Sequence, residues 1–312
     1  MDGCRSILLL LATAGLLALS GANCPNTVRQ YATALPRALP PSPSLQQVIE
    51  VVNRNSSQIR SFTTTEAKLS GPGFPTLRAS IAFQRPRRLR LRAETALTGP
   101  EIDLGSNDEL FWFWVRRNQP PGVYFCRHDR FDGSSARQMI PIEPQWLIEA
   151  MGIAEFDPAL PHQGPFPLPN GRLEVRTIRE TAAGAATKVT IVDGVSGLVL
   201  QQRIFDAQGR LLAASSAVGH RQDPLSGLIL PAVVDIYCAA ARLSMRVELG
   251  NAQINRLSDD QAQLWVMPNY PSAPPIDLCD PDFHPPRSDY SSNPNDFSNP
   301  GVSSSKSRSP GL

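Results

Sequence analysis

The feature that most constrains this chain is the alternation in Leu77–Glu94, LRASIAFQRPRRLRLRAE, where six arginines in eighteen residues interleave with leucine, isoleucine and phenylalanine. Side chains two apart in an extended strand share a face. Leu77, Ala79, Ile81 and Phe83 therefore lie together, and after Arg85-Pro86 so do Leu89, Leu91 and Ala93, with Arg88, Arg90 and Arg92 opposite. The same design recurs where Leu243, Met245, Val247 and Leu249 alternate with Arg242, Ser244, Arg246 and Glu248. Both stretches predict antiparallel strands with one apolar face and the arginines on a solvated one. A membrane-surface role for the arginines is a second reading. A nucleic-acid grip is disfavoured: the formal charge is only +2, and no aromatic stacking platform accompanies the basic residues.

The flanking sequence extends this pattern into a β-rich domain. Leu45–Ile59 places Leu45, Val48, Ile49, Val52 and Ile59 near one helical face, with Ser42 or Ser44 available as a cap. Further strands are predicted at 61–69, 101–105, 110–116, 122–128, 172–180, 187–193, 197–206, 210–219, 228–238 and 253–256, joined by turn sequences such as Gly105-Ser106-Asn107-Asp108 and Asp193-Gly194. A second short helix is predicted over Glu143–Met151. In Leu110–Val115, LFWFWV, both faces are apolar, so this strand must be covered on both sides or must line an apolar cavity with one of them.

Both ends of the chain read differently. Arg5, the apolar run Ile7–Leu19 and the small residues that follow have the layout of an export signal, giving residues 1–23 as signal and 24–44 as a proline-rich tether. Cleavage before Cys24 with lipidation of that cysteine and ordinary cleavage after Ala22 are both open; lipidation at Cys24 is the expectation adopted. The expected location is the cell envelope or periplasm. Residues 269–312 hold nine prolines and ten serines, a composition that predicts a disordered tail. Residues 45–268 then form the folded domain. Among Cys126, Cys238 and Cys279 the sequence does not choose a disulfide pair.

Motifs for chemistry are sparse. Gly194-Val195-Ser196-Gly197 is a turn and not a nucleophile elbow, and no phosphate-cradling glycine loop occurs. The histidines lack metal-ligand spacing, and Asp277, Cys279, Asp280, Asp282 and His284 sit in a proline-rich context poorly suited to holding a cation. Asp103 has no evident partner. No metal, cofactor or enzymatic activity is expected.

The order of elements resembles the LolA/LolB superfamily, bacterial carriers and receptors for lipoproteins, over about residues 45–268. The resemblance is carried by AFQRPRRLRLRAE, the hairpin IDLGSNDELFWFWV, IPIEPQWLIEAMG, which is similar to the helix region of the LolB branch, and LPAVVDIYCAAARLSMRVELGNAQI. It implies a mainly β (α+β) fold: a curled, unclosed antiparallel half-barrel, here of about ten or eleven strands, with the N-terminal amphipathic helix and the inserted short helix over its concave face. It further implies that lipid acyl chains or acylated lipoproteins are held there. Arg85, just before the proline, matches an arginine that fastens the lid in the soluble carriers, and Leu97 is the nearest match to a loop leucine that enters the membrane in the receptors. The long tail is not part of the family pattern. The residues expected to line the cavity are Ile81, Phe83, Leu89, Leu91, Ile102, Leu104, Trp112, Trp114, Met245 and Val247. A structural or interaction lipoprotein whose own side chains fill the cavity is the rival expectation.

Overall fold

The computed structural model describes residues 35–134, 136–140, 145–181, 184–239, 243–258 and 260–283. All the helices and strands among them belong to the unit Arg37–Leu312. Cys24 and the signal region lie outside the described residues.

Helix α1 (Leu45–Gln58) starts where Ser44 and Gln47 cap each other's backbone N–H groups, a reciprocal capping box that satisfies two of the helix's orphan donors. Six strands follow: β1 (Ser61–Gly71), β2 (Phe74–Gln84), β3 (Arg88–Thr95), β4 (Gly99–Ser106), β5 (Leu110–Val115) and β6 (Val123–Arg127). Short helices α2 (His128–Phe131), α3 (Ala136–Met139) and α4 (Gln145–Ala150) form the insertion. The chain then returns through β7 (His162–Leu168), β8 (Arg172–Thr181), β9 (Gly184–Asp193), β10 (Val199–Phe205) and β11 (Leu211–Val218). A small hairpin, β12 (Arg221–Gln222) with β13 (Ile229–Leu230), precedes β14 (Val233–Cys238), β15 (Leu243–Glu248), β16 (Gln253–Ile254) and β17 (Pro275–Asp277).

Fifteen of these strands make one sheet in the order β17-β6-β5-β4-β3-β2-β1-β15-β14-β11-β10-β9-β8-β7, with β16 also on β1. All pairings are antiparallel except β17 on β6. The two ends of the order do not pair with each other, so the sheet is unclosed and curled, as the alternation and the resemblance imply. It has more strands than the ten or eleven expected, because β7 and β17 are too short or too proline-rich to register as periodic runs; Pro231 splits the predicted 228–238 strand into β13 and β14, and β13 pairs with β12 in a separate two-stranded sheet.

Two expectations about the ends of the domain are corrected. The tether assigned to 24–44 is packed from Ala38 onward: Ala38 and Leu39 both donate to Val195 O, and Leu39 is buried against Val48, Val52 and Phe156. The tail assigned as disordered from 269 is built into the fold through residue 283. Tyr270 and Ala273 bridge, β17 pairs with β6, and a disulfide joins Cys126 to Cys279, leaving Cys238 as a buried free thiol. Tyr270, Ile276, Leu278 and Cys279 anchor a segment whose prolines and serines otherwise mask it.

Candidate functional site

Strand register decides which residues share the inner face. Leu91 pairs with Ile81 on one side and Leu104 on the other, Leu89 pairs with Phe83, and Ala93 pairs with Ile102. Across β1, Leu69 pairs with Leu77 and with Val247, and Met245 pairs with Ile236. Ile81, Phe83, Leu89, Leu91, Met245 and Val247 are therefore in one buried cluster, with Ile102 and Leu104 half-buried against it.

Trp112 and Trp114 do not belong there. They pair with Gly105 and Asp103, which alternate with Ile102 and Leu104, so both tryptophans stand on the outer face. Gly105 permits this: a Cβ there would fall 2.1 Å from the Trp112 ring. Trp112 Nε1 donates to Asp103 Oδ1 at 3.4 Å, and Trp114 stacks on Tyr270 with centroids 4.1 Å apart. The same face corrects the reading of the arginines as uniformly solvated. Arg90 is buried; it donates to Asp103 at 2.7 Å and to the carbonyls of Leu264 and Val266. Asp103, fully buried, also accepts from Tyr270 Oη at 2.9 Å. Burial, and secondarily the Asp103 charge, push the Tyr270 phenol up to about 12. Arg88 and Arg92 remain partly exposed.

The inner face is covered by helical segments and by the β12–β13 hairpin, whose Leu230 joins the same buried cluster as Leu91. Trp146, Ile148, Ala150, Met151 and Ile153, in and just after α4, join the same buried cluster as Leu91, while α1 sets Val48 and Val52 on Val175 and Val192 of β8 and β9. Polar groups fasten this cover. Glu149 Oε2 meets Lys188 Nζ of β9 at 2.7 Å, and Gln202 Nε2 of β10 donates to Glu149 O at 3.0 Å. Asn53 of α1 bonds both the N–H and the C=O of Phe156 at 2.8 Å. Arg85, in the turn between β2 and β3, reaches both helical elements: Nε donates to Ile59 O at 2.9 Å, Nη2 to Ser56 O at 2.5 Å, and Nη2 to Glu155 Oε1 at 2.6 Å. No sequence motif marks Glu149, Glu155, Asn53 or Gln202. Lys188 alone carries a signal, as a charge at the parity of the inward-facing Thr190 and Val192.

Between α4 and the inner face of β8–β11 a cavity of about 120 Å³ remains, lined on its apolar side by Trp146, Leu160, Ala186, Ile204 and Leu212. This half of the inner face is polar: Thr177, Thr190, Gln202 and Ser215 are buried on it. Leu97 lies at the tip of the β3–β4 turn and is 97 % exposed. Among the described residues, no group of three or more potential metal ligands occurs and no helix is long and apolar enough to cross a membrane.

No family model matches the chain, and no curated protein matches it. Solved structures similar to it include a LolA superfamily protein from Nitrosomonas europaea, with 11 % identity, 72 % of this chain and 98 % of that one covered, and a TM-score of 0.45. A structure described as an outer membrane lipoprotein-sorting protein domain from Vibrio parahaemolyticus has 10 % identity over 72 % of this chain and 100 % of that one, with a TM-score of 0.48. A DUF1329 family protein from Desulfovibrio piger has 12 % identity over 69 % and 95 % of the two chains, with a TM-score of 0.44.

Proposed function

We propose that this chain is a non-enzymatic, envelope-located binder of lipid or lipoprotein acyl chains, tethered to a membrane through Cys24. The chains are taken up between the inner sheet face and the cover formed by α4 and the residues through Phe156. Arg85 fastens this lid, and Leu97 presents an apolar side chain to the membrane. One observation carries the reading: a continuous apolar sheet face is closed by a short helical segment whose ties to the sheet and α1 include ion pairs and hydrogen bonds. Such partly exposed polar ties exchange readily with water. Each methylene taken out of water between face and lid contributes ~0.8 kcal/mol, less the apolar contacts the lid gives up, so a long acyl chain binds without a specific polar contact.

A second reading has its own support. Trp146, Ile148 and Met151 fill the face themselves, and the space left is only about 120 Å³, so a packed scaffold without cargo is the rival. Equilibrium titration with an uncharged pyrene-labelled long-chain alcohol separates the two. Acyl binding predicts saturable uptake that strengthens in Glu155→Gln, where the lid is more weakly tied. A packed scaffold predicts no saturable uptake in either protein.

A further inference from the structure

We propose that the cavity between α4 and β8–β11 holds the anionic head of a single-chain amphiphile, a carboxylate or phosphate monoester, and that this head displaces Glu149 from Lys188. The inference rests on the acyl-chain reading and adds the head to it.

The inner face is divided by register. Around β1–β4, β14 and β15 it is apolar, whereas cross-strand neighbours on β8–β11 bring Thr190, Gln202 and Ser215 into one row beside Val175, with Lys188 and Ile204 in the next. An amphiphile lying across the face meets methylene-compatible surface at one end and polar surface at the other.

The cavity lies at the polar end, and its lining is incompletely satisfied. Trp146 lines it and is 4 % exposed, yet its indole N–H has no acceptor among the described residues. Outside the cavity, in the next inward row, Thr190 Oγ1 and its cross-strand neighbour Gln202 Oε1 are also buried without partners among them. An indole N–H only donates, so Trp146 calls for an acceptor, which an oxyanion supplies. At about 120 Å³ the cavity suits a compact head group.

The charges around the cavity select the group that would change partners. Arg137 is ion-paired with Asp132 at 3.1 Å, and Glu155 is held by Arg85. Asp157 Oδ1 accepts from the Ala159 N–H. Lys188 faces inward, is 19 % exposed at its side chain, and has Glu149 as its carboxylate partner at 2.7 Å. Glu149 rides on α4. A ligand oxyanion that takes Lys188 therefore undoes one tie between the lid and β9, while Arg179 lines the same space. Head binding and lid release become one event.

The test uses the full chain at neutral pH and measures displacement of the pyrene-labelled alcohol by a long-chain carboxylate, its methyl ester and its amine. The carboxylate should bind about tenfold more tightly than the ester, the ratio for one charge-assisted hydrogen bond. Lys188→Gln should remove that preference. Glu149→Gln should shift carboxylate affinity the opposite way, upward, because the competitor is gone; this keeps the test decisive if the lysine variant folds poorly. Equal binding of acid and ester, tighter binding of the amine, or a preference that survives Lys188→Gln would overturn the head assignment while the acyl reading stands. Acetate or inorganic phosphate competing as well as the amphiphile would overturn the amphiphile. Failure of the alcohol probe itself to bind would refute the acyl reading.

Discussion

Truncating Arg85 to alanine isolates the fastening of the lid. The guanidinium makes two kinds of bond: to the carbonyls of Ser56 and Ile59 at the end of α1, and to Glu155 beyond α4. Only the second holds the lid. The Arg85 and Glu155 side chains are 28 % and 37 % exposed, so this pair is discounted toward a surface ion pair, about 1 kcal/mol. That amount raises the open population of residues 145–156 about fivefold. In Glu155→Gln the amide oxygen still accepts and about half the effect is expected, roughly twofold. Hydrogen exchange followed by mass spectrometry reads both, since local opening sets the exchange rate of the segment independently of global unfolding. Arg85→Ala should accelerate exchange in 145–156 and in the last turn of α1, Glu155→Gln in 145–156 alone, and neither in β2 or β3. Uniform acceleration through β2 and β3, or none in 145–156, would rule out Arg85 as the lid fastening.

The packing sets three more expectations. Replacing Cys126 and Cys279 together by serine opens a link with a sequence separation of 153; loop-closure entropy sets the loss at up to about 5 kcal/mol in urea unfolding, with protection lost in 262–283 first. Tyr270, raised in the folded state to about 12 from an ordinary value of about 10, binds its proton more tightly folded than unfolded. Its contribution is therefore whole below pH ~10 and lost as pH rises toward ~12, and Tyr270→Phe should flatten the alkaline limb of thermal stability. Leu91→Arg places a charge at a position 1 % exposed within the main cluster, so it should unfold the domain by circular dichroism and not merely block binding; a folded variant would show that the cover is looser than the packing implies.

The architecture was legible where one face is apolar and the other charged. In β2, β3 and β15 the period-2 pattern alone fixes strand identity and the inner face, and Leu45–Ile59 announces α1 through its stripe and cap. LFWFWV defeated the same reasoning because both of its faces are apolar, so alternation cannot say which is inside. Counting outward from the Asn107–Glu109 turn would have placed Trp112 opposite Gly105. Arg90 and Asp103 share the parity of the outer face, but their burial depends on residues 264–270 folding back over them. That contact spans more than 160 residues of chain, and no local pattern announces it. The lid fastenings were hidden for the same reason: Glu149 with Lys188 and Asn53 with Phe156 are single polar residues brought together by the sheet's order.

Whether the half-barrel takes up acyl chains is decided by native mass spectrometry of the protein purified from an envelope fraction, followed by organic extraction. A cargo-binding half-barrel gives a bound mass that dissociates as one or more acylated species and leaves the apo protein able to take up the pyrene-labelled alcohol. An apo mass from the outset, with no uptake of that probe, would contradict acyl binding and identify the half-barrel as a packed scaffold.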